Sequence, residues 1–149
     1  MTEVLFYHLE RSTVERVLPE LLEKSLERGW RAIVQAGSIE RMEALDAHLW
    51  TYNEASFLPH GTDFQDHAQD QPVLLTVEDG NKNNARIRFL IDGADIEDVS
   101  SYIRVIYMFN GHDSDALKNA RSRWKDYAKT DHDLTYWVQG ETGKWEKKG

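Results

Sequence analysis

The apolar residues in the first half of the chain alternate between short continuous runs and a spacing of three to four residues. Residues 4–9, 31–36 and 72–77 are short and mostly apolar, which predicts strands that are covered on both faces. The stretches after the first two runs place apolar residues on one side of a helix. This order of strand and helix predicts an α/β fold with a largely parallel sheet.

Two helices are expected in this half of the chain. Residues 12–15 fit a capping box at the start of the first helix, and Gly29 fits its end. Pro19 is unusual in this helix, because an interior proline kinks a helix or restarts it. Ser38 is the expected N-cap of the second helix, whose inward residues recur at helical spacing: Ile39, Met42, Leu45 and Leu49.

The second half of the chain predicts further strands and a third helix. Strands are expected at residues 87–91, 102–109 and 134–138, where β-branched and aromatic residues are frequent. A polar loop is expected from residue 51 to residue 71, and residues 145–149 are expected to be frayed. The chain shows neither an internal repeat nor a low-complexity linker, which is typical of one domain.

The composition is that of a globular protein with an acidic surface. Hydrophobic residues make up 40% and charged residues 30% of the 149 positions, which predicts one domain over residues 1–149. Cysteine, a signal-peptide pattern and an apolar run long enough for a bilayer are all absent from the sequence, so we expect a cytoplasmic protein that does not enter membranes. The net charge of −8 argues against nonspecific DNA binding, so any anion site must be local.

Residues 117–129 are the exception to this acidity, with five basic residues and one acidic residue on a helical pattern. Four cations fall in one stripe beside Trp124: Lys118, Arg121, Lys125 and Lys129. A basic row beside an aromatic edge suits an anion that is attached to an apolar group, such as an acidic peptide or a nucleic-acid strand. A solvated amphipathic helix with Trp124 in the core explains the same pattern, and the pattern alone leaves both open.

Two other segments of the sequence are compatible with an enzyme, which is the alternative function. Gly37 and Ser38 lie between a strand and a helix, where phosphates bind in doubly wound folds, although G-x-G-x-x-G is absent. Metal-capable side chains cluster in the long loop without the H-E-x-x-H spacing: His60, Asp63, Asp66 and His67. A nucleotide- or metal-dependent enzyme on a Rossmann-like sheet is therefore the second hypothesis. The simpler interpretation is that Gly37 and Ser38 form an ordinary turn and that the long loop is solvated.

Several segments, in order and with matching spacing, resemble the chi subunit family of bacterial DNA polymerase III holoenzyme. The opening strand, residues 18–24 and residues 72–76 contribute to the resemblance. The most specific segments are LDAHLWTY at residues 45–52, SFLPHG at residues 56–61 and ARSRWKDY at residues 120–127. The resemblance covers nearly the whole chain and rests on this collinearity rather than on a single motif.

The resemblance implies a Rossmann-like three-layer sandwich, in which helices flank a mostly parallel central sheet. It also implies a non-catalytic accessory subunit of the clamp loader, without a cofactor or a metal. Members of this family bind the acidic C-terminal tail of the single-stranded-DNA-binding protein and the psi subunit. Because the remaining surface is acidic, we expect this chain to reach DNA only through a partner.

By position, the tail pocket of the family corresponds to Arg121, Trp124 and Lys125, with Lys118 beside them. Trp124 stands where the family form has a tyrosine. An arginine can hold a terminal carboxylate with two parallel hydrogen bonds, and lysines supply charge for acids further along a peptide. An indole ring can form the wall of an apolar pocket.

A contact with the psi subunit is expected near the long loop. Trp50, Phe57 and Leu58 lie in the loop or beside it and are candidates for an exposed apolar patch. The other interpretation is that these residues close the edge of the sheet as part of the core. The sequence leaves both interpretations open.

Overall fold

The computed structural model describes residues 2–52, 58–140 and 144–148. Its helices are α1 (Val14–Glu27), α2 (Ile39–Thr51) and α3 (Ser114–Tyr127), with a short 3₁₀ helix at Ala68–Asp70. Its strands, in chain order, are β1 (Glu3–Leu9), β2 (Ala32–Gln35), β3 (Gly61–Thr62), β4 (Val73–Thr76), β5 (Ile87–Leu90), β6 (Arg104–Asn110), β7 (Asp133–Gln139) and β8 (Trp145–Lys147).

These strands form one sheet in the order β3-β4-β2-β5-β6-β1-β7-β8. Every pair of neighbours is parallel except β7 and β8, which are antiparallel. The predicted α/β fold with a mostly parallel central sheet is therefore confirmed. The connections that leave the parallel neighbours β1 and β6 cross the sheet in opposite directions, so α1 and α3 pack on opposite faces of it.

Alternate residues of β1 build two separate cores. Leu5 and Leu9 pack with α1 and α2 on one face, whereas Val4 and Phe6 pack with α3 on the other. The central strands are apolar on both faces because helices cover both, as the continuous apolar runs predicted. None of the described helices is long and apolar enough to cross a membrane.

The predicted capping box at residues 12–15 does not form. The N-cap of α1 is Thr13, and its side chain makes no capping hydrogen bond. Ser12 Oγ instead accepts a hydrogen bond of 3.1 Å from Gln139, and the Glu15 carboxylate pairs with Arg41. Both side chains are taken by partners distant in sequence, which a local pattern cannot reveal. Pro19 is buried within α1, and the helix continues through it.

Helix α3 begins at Ser114, three residues before the basic stretch, because Asp113 caps it. The Asp113 carboxylate accepts hydrogen bonds from the backbone of Asp115 and Ala116 at 3.0 and 3.2 Å. The expectation of a frayed tail is wrong for residues 145–147, which form β8. The polar loop from residue 51 also holds β3 and the 3₁₀ helix.

Candidate functional site

Helix α3 is fixed to the sheet by its aromatic side. The Trp124 indole is half-buried and meets Phe6 and Tyr136 edge-on, with ring centres 5.6 and 5.5 Å apart. Ala120 is buried one turn earlier and allows the helix to approach the sheet closely. This anchoring leaves the basic stripe of α3 at the surface, next to the end of the sheet formed by β7 and β8.

A cavity of about 310 Å³ lies between α3 and this end of the sheet. We call it the α3 cavity, and its lining residues are Arg121, Trp124, Lys125, Tyr136 and Lys148. Three of the four residues carried over from the family resemblance therefore meet around one opening. Lys118 is exposed on the same helix but does not line the cavity.

Of the three cations that line the α3 cavity, Lys148 has an acidic partner, with its Nζ 3.6 Å from a Glu146 carboxylate oxygen. The lining itself contains no carboxylate. Arg121 and Lys125 form no ion pair with any residue in the described part of the chain, although the sequence has 26 acidic residues. Their guanidinium and ammonium groups are available to an external anion.

Arg123, on the same helix, is used differently. Its Nε lies 3.0 Å from an Asp95 carboxylate oxygen, and its terminal nitrogen donates to the Gly93 carbonyl at 3.1 Å. Its guanidinium also lies 5.5 Å from the ring centre of Tyr107. Arg123 therefore holds α3 to the loop after β5, which separates it in role from its exposed neighbour Arg121.

Tyr136 is the fixed inner wall of the α3 cavity. Its ring stacks at 6.1 Å from Phe6, and its hydroxyl lies 2.9 Å from His8 Nδ1. Burial raises the pKa of the Tyr136 hydroxyl, while the positive charge of Arg121 acts in the opposite direction. The phenol is consequently a neutral, oriented group at neutral pH, and Arg121 is close enough to influence it.

Lys148 reaches the α3 cavity through β8. Its backbone nitrogen donates to the Tyr136 carbonyl at 2.7 Å, so the two residues are cross-strand partners with side chains on the same face. On the other face of this strand, Trp145 packs against Tyr7 with ring centres 5.0 Å apart. The sequence interpretation missed Tyr136 and Lys148. The β-branched and aromatic residues at 134–138 indicated the strand, but nothing local indicated which face of it meets α3.

A second large opening, the strand-end crevice, lies at the carboxyl ends of β1 and β6, where doubly wound folds bind ligands. Its volume is about 720 Å³. Five carboxylates line it against two arginines and one histidine, and these acids are Glu10, Glu15, Asp92, Asp113 and Asp115. This excess of acids disfavours a phosphate there.

Backbone amides at the strand-end crevice already have hydrogen-bond acceptors within the protein. The amides of Glu10, Arg11 and Ser12 all point at Gln139 Oε1, at 3.3, 2.7 and 3.0 Å. In a phosphate-binding loop, amides in this place would hold the phosphate. At the start of α3, the Asp113 carboxylate takes the corresponding amides.

The turn at Gly37 and Ser38 is closed as well. A Cβ atom at Gly37 would lie 2.7 Å from the Asp92 carbonyl oxygen, so the loop after β5 covers this turn. Ser38 caps α2 by accepting from the Arg41 backbone at 3.2 Å. Arg41 in turn contacts Asp92, with 3.2 Å between Nε and Oδ2. The turn therefore serves as a helix start that is packed against a neighbouring loop.

The metal-capable residues of the long loop do not converge. His60 is buried, with Nδ1 2.7 Å from the Leu58 carbonyl and Nε2 3.1 Å from an Asp46 carboxylate oxygen. Asp63 accepts from the Thr76 hydroxyl at 2.5 Å, whereas His67 is exposed. Asp66 is exposed too. Within residues 2–52, 58–140 and 144–148, no group of three or more His, Cys, Asp or Glu side chains could hold a metal ion.

The residues considered for a psi contact differ in their exposure to solvent. Trp50 is 55% exposed at the end of α2, with its ring 4.8 Å from that of His60. Leu58 is only 2% exposed and belongs to the same core cluster as Leu45 and Leu49. It therefore does not contribute to an exposed patch, because its side chain packs in this core. Phe57 lies outside the described residues.

The comparisons with known proteins agree with this architecture. A family model described as "DNA polymerase III chi subunit, HolC" matches residues 1–135. The probable DNA polymerase III subunit chi of Rickettsia prowazekii (strain Madrid E) is 26% identical over 153 aligned positions, covering 99% of this chain and 92% of that protein.

Among solved structures, the C-terminal domain of S. cerevisiae Dbp5, bound to Gle1 and IP6, has a TM-score of 0.57. The two chains are 11% identical, and the match covers 91% of this chain and 90% of that chain, so the likeness concerns the fold alone. The family match, in contrast, is a match of the sequence. It covers residues 1–135, which include both cores and helix α3. The chain belongs to the DNA polymerase III chi subunit family, whose place is in DNA replication.

Proposed function

We propose that this protein is a non-catalytic accessory subunit of the DNA polymerase III clamp-loader complex that binds the acidic C-terminal tail of the single-stranded-DNA-binding protein. The α3 cavity is the binding site, and the protein bridges this tail to the clamp loader, through a psi subunit where one is present. It acts in the cytoplasm, without a cofactor, and meets DNA only through its partner. The resemblance and the family match support this role.

The observation that carries the proposal is that two unpaired cations lie beside apolar walls. Arg121 and Lys125 have no acidic partner among the described residues. Together with Lys148, they surround an opening whose inner surface is formed by Trp124 and Tyr136. A peptide that ends in an apolar residue presents a carboxylate and a side chain at the same point, which this arrangement complements. The wider surface of a chain with net charge −8 repels polyanions, so the attraction for an acidic peptide must be local.

Each lining residue has a role in this proposal. Arg121 binds the terminal carboxylate with two parallel hydrogen bonds, because its planar fork matches the carboxylate oxygens. Trp124 and Tyr136 contact the last side chain of the peptide. Lys125 and Lys148 attract the acidic residues that precede it, in a manner weakened by salt.

The contents of the strand-end crevice support a non-catalytic role over the nucleotide-dependent alternative. A phosphate would meet carboxylates, and the amides of residues 10–12 already bind Gln139. A ligand would have to displace three hydrogen bonds that the protein satisfies internally. The proposal therefore assigns binding to the α3 cavity and structure to the crevice.

Calorimetry with a short acidic peptide ending in phenylalanine tests the proposed function. We expect the free-acid peptide to bind the wild-type protein and the C-terminally amidated peptide to bind far more weakly. Arg121→Ala should lower the affinity about 10- to 100-fold, since hydrogen bonds to charged groups contribute about 1.5–3 kcal/mol each. Arg123→Ala is not a suitable control, because Arg123 holds α3 in place.

Lys129→Ala is the matched control for this experiment. Lys129 is an exposed lysine that follows α3 and does not line the cavity. Its removal lowers the net charge equally but should leave the affinity within about twofold. Binding that is equal for both peptides, or a loss that is equal for Arg121→Ala and Lys129→Ala, would refute the α3 cavity as the tail site.

The proposed psi contact centres on Trp50, which exposes more than half of its surface. A pull-down with a psi subunit should fail for Trp50→Ala, while circular dichroism of this variant matches that of the wild type. Phe64→Ala is the matched control, because Phe64 is a similarly exposed aromatic residue at 62%. Unchanged psi binding by a folded Trp50→Ala variant would argue against this contact.

A further inference from the structure

A second cavity with nearly the same composition lies on the opposite face of the sheet. This α1 cavity encloses about 220 Å³ where α1 ends and where β5 and β6 begin. Three cations and two polar aromatic residues line it, namely Lys24, Arg28, Arg104, Tyr7 and Trp30. No Asp or Glu lines it, in a chain with 26 acidic and 18 basic residues.

The two arginines of the α1 cavity share one indole ring. The guanidinium carbons of Arg28 and Arg104 lie 5.2 and 5.5 Å from the ring centre of Trp30. Each cation is attracted to the ring, but two like charges held around one ring repel each other. An anion between them would convert this repulsion into attraction.

The protein itself provides an acidic partner for only one of these two arginines. Arg104 Nε lies 2.6 Å from a Glu3 carboxylate oxygen, and the terminal nitrogens of Arg104 make no hydrogen bond to a described residue. Arg28 forms no ion pair within residues 2–52, 58–140 and 144–148. Lys24 Nζ lies 3.5 Å from a Glu20 carboxylate oxygen. Arg28 is thus the one cation of this cavity without an acidic partner among the described residues, and Arg104 is paired through its Nε.

Tyr7 adds a neutral hydroxyl to the lining of the α1 cavity. Burial raises the pKa of this hydroxyl and the Glu3 carboxylate acts in the same direction, while the guanidinium groups of Arg104 and Arg28 lower it. The hydroxyl stays protonated at neutral pH. The rest of the wall is aliphatic or aromatic: Leu21, Ile87, Phe89 and Ile106.

A structural role explains only some of these residues. Lys24 lies in the last turn of α1 and Arg28 is the C-cap of this helix, where cations stabilise the helix dipole. This does not account for Arg104, which comes from the start of β6, or for the position of Trp30 beside both guanidinium groups. Convergence of cations from separate elements on an apolar wall is the arrangement that also defines the α3 cavity.

We propose that the α1 cavity is a second anion site, which binds a small carboxylate attached to an apolar or aromatic group. Its volume is below the roughly 300–1,000 Å³ that is typical of sites for drug-sized ligands, so one acid group with one side chain fills it. Arg28 and Arg104 hold the carboxylate, and the group it carries lies against Ile87 and Ile106. The site goes beyond the proposed tail binding and stands on residues of its own.

The test is an NMR titration of the full chain with 3-phenylpropionate, and with 3-phenylpropanamide as the neutral match. The indole N–H signals of Trp30 and Trp124 report separately on the α1 and α3 cavities. We expect the acid to shift both signals with saturation and the amide to shift neither. Arg28→Gln should weaken the Trp30 response at least tenfold and leave the Trp124 response unchanged, and Arg28→Lys should restore part of it.

Arg16→Gln is the matched control, because Arg16 is an exposed arginine of α1 outside the cavity. It should leave both responses unchanged. A Trp30 signal that does not respond, or that responds equally in Arg28→Gln, would overturn the second site, while the Trp124 signal still reports on the proposed function. If inorganic phosphate shifts the Trp30 signal and the carboxylate does not, the ligand class is wrong.

Discussion

The α3 cavity and the strand-end crevice contain similar groups but differ in what those groups contact. Around the α3 cavity, Arg121 and Lys125 point toward an opening without an internal acid. Around the strand-end crevice, Arg41 is bound by Glu15 and Asp92, and the loop amides are bound by Gln139. The groups of the larger opening are thus paired within the protein, whereas Arg121 and Lys125 of the smaller one have no acidic partner among the described residues. Cavity volume alone would have indicated the crevice rather than the site that we propose.

The contrast follows from the way each opening is built. The crevice lies between elements that must be held together, and charged or polar groups at such a junction stabilise the fold when they are paired. The α3 cavity lies at the end of the sheet, where β8 is the last strand and only α3 approaches. Cations there cost little to leave unpaired, because water solvates them until a ligand arrives.

Gln139→Ala should have the largest effect of the changes that probe this comparison. It removes the acceptor of three backbone amides and should lower the free energy of unfolding by about 1–3 kcal/mol, measured by chemical denaturation. Gln139→Glu retains an acceptor and should keep most of this stability. Equal stability of Gln139→Ala and the wild type would show that these amides do not depend on Gln139.

Lys125→Ala should lower the affinity for the acidic peptide about two- to fivefold, because an exposed charge contributes up to about 1 kcal/mol. The same variant should make binding less sensitive to salt, as measured by calorimetry at several ionic strengths. Its unfolding free energy should not change, in contrast to Gln139→Ala. An unaltered salt dependence would remove Lys125 from the site.

Glu15→Gln should have a smaller effect that depends on pH. Burial by itself would raise the pKa of Glu15. The hydrogen bond from Arg41, a backbone hydrogen bond and the charges of Arg41 and His48 together outweigh burial and hold the pKa below the ordinary value of 4.5. The pair therefore stabilises the fold above pH 4.5, by less than about 1 kcal/mol, and this contribution disappears as the pH falls through the lowered pKa.

Thermal unfolding of Glu15→Gln and the wild type from pH 7 to pH 3 measures this contribution. The difference between the two proteins should shrink as the pH falls. Glu27→Gln, which replaces the last residue of α1, is the control and should show no such trend. A difference that stays constant with pH would contradict the assigned role of the pair.

Nucleotides should have the smallest effect, with no shift of the unfolding temperature. ATP with Mg²⁺ would have to enter a crevice lined by five carboxylates and displace Gln139 from the loop amides. The acidic peptide, in contrast, should raise the unfolding temperature in proportion to its binding. Stabilisation by ATP at millimolar concentration would revive the enzyme hypothesis.

Local patterns were sufficient for much of the fold. The apolar runs indicated β1, β2, β4, β5, β6 and β7, since a strand covered on both faces needs continuous apolar sequence. The same reasoning failed at the ends of the chain's elements. Ser12 and Glu15 have the local pattern of a capping box, but Gln139 and Arg41 provide stronger partners from distant positions. The tail was expected to fray, yet the packing of Trp145 on Tyr7 fixes β8.

By itself, the sequence determined the family, the alternating order of strands and helices and the basic helix that carries Arg121, Trp124 and Lys125. Only the tertiary structure decided which of its cations remain unpaired and that Tyr136 and Lys148 join them. The reason is physical. Helical and strand periodicity depends on neighbours within a few residues, whereas neutralisation of a charge depends on groups that meet only when the sheet is assembled.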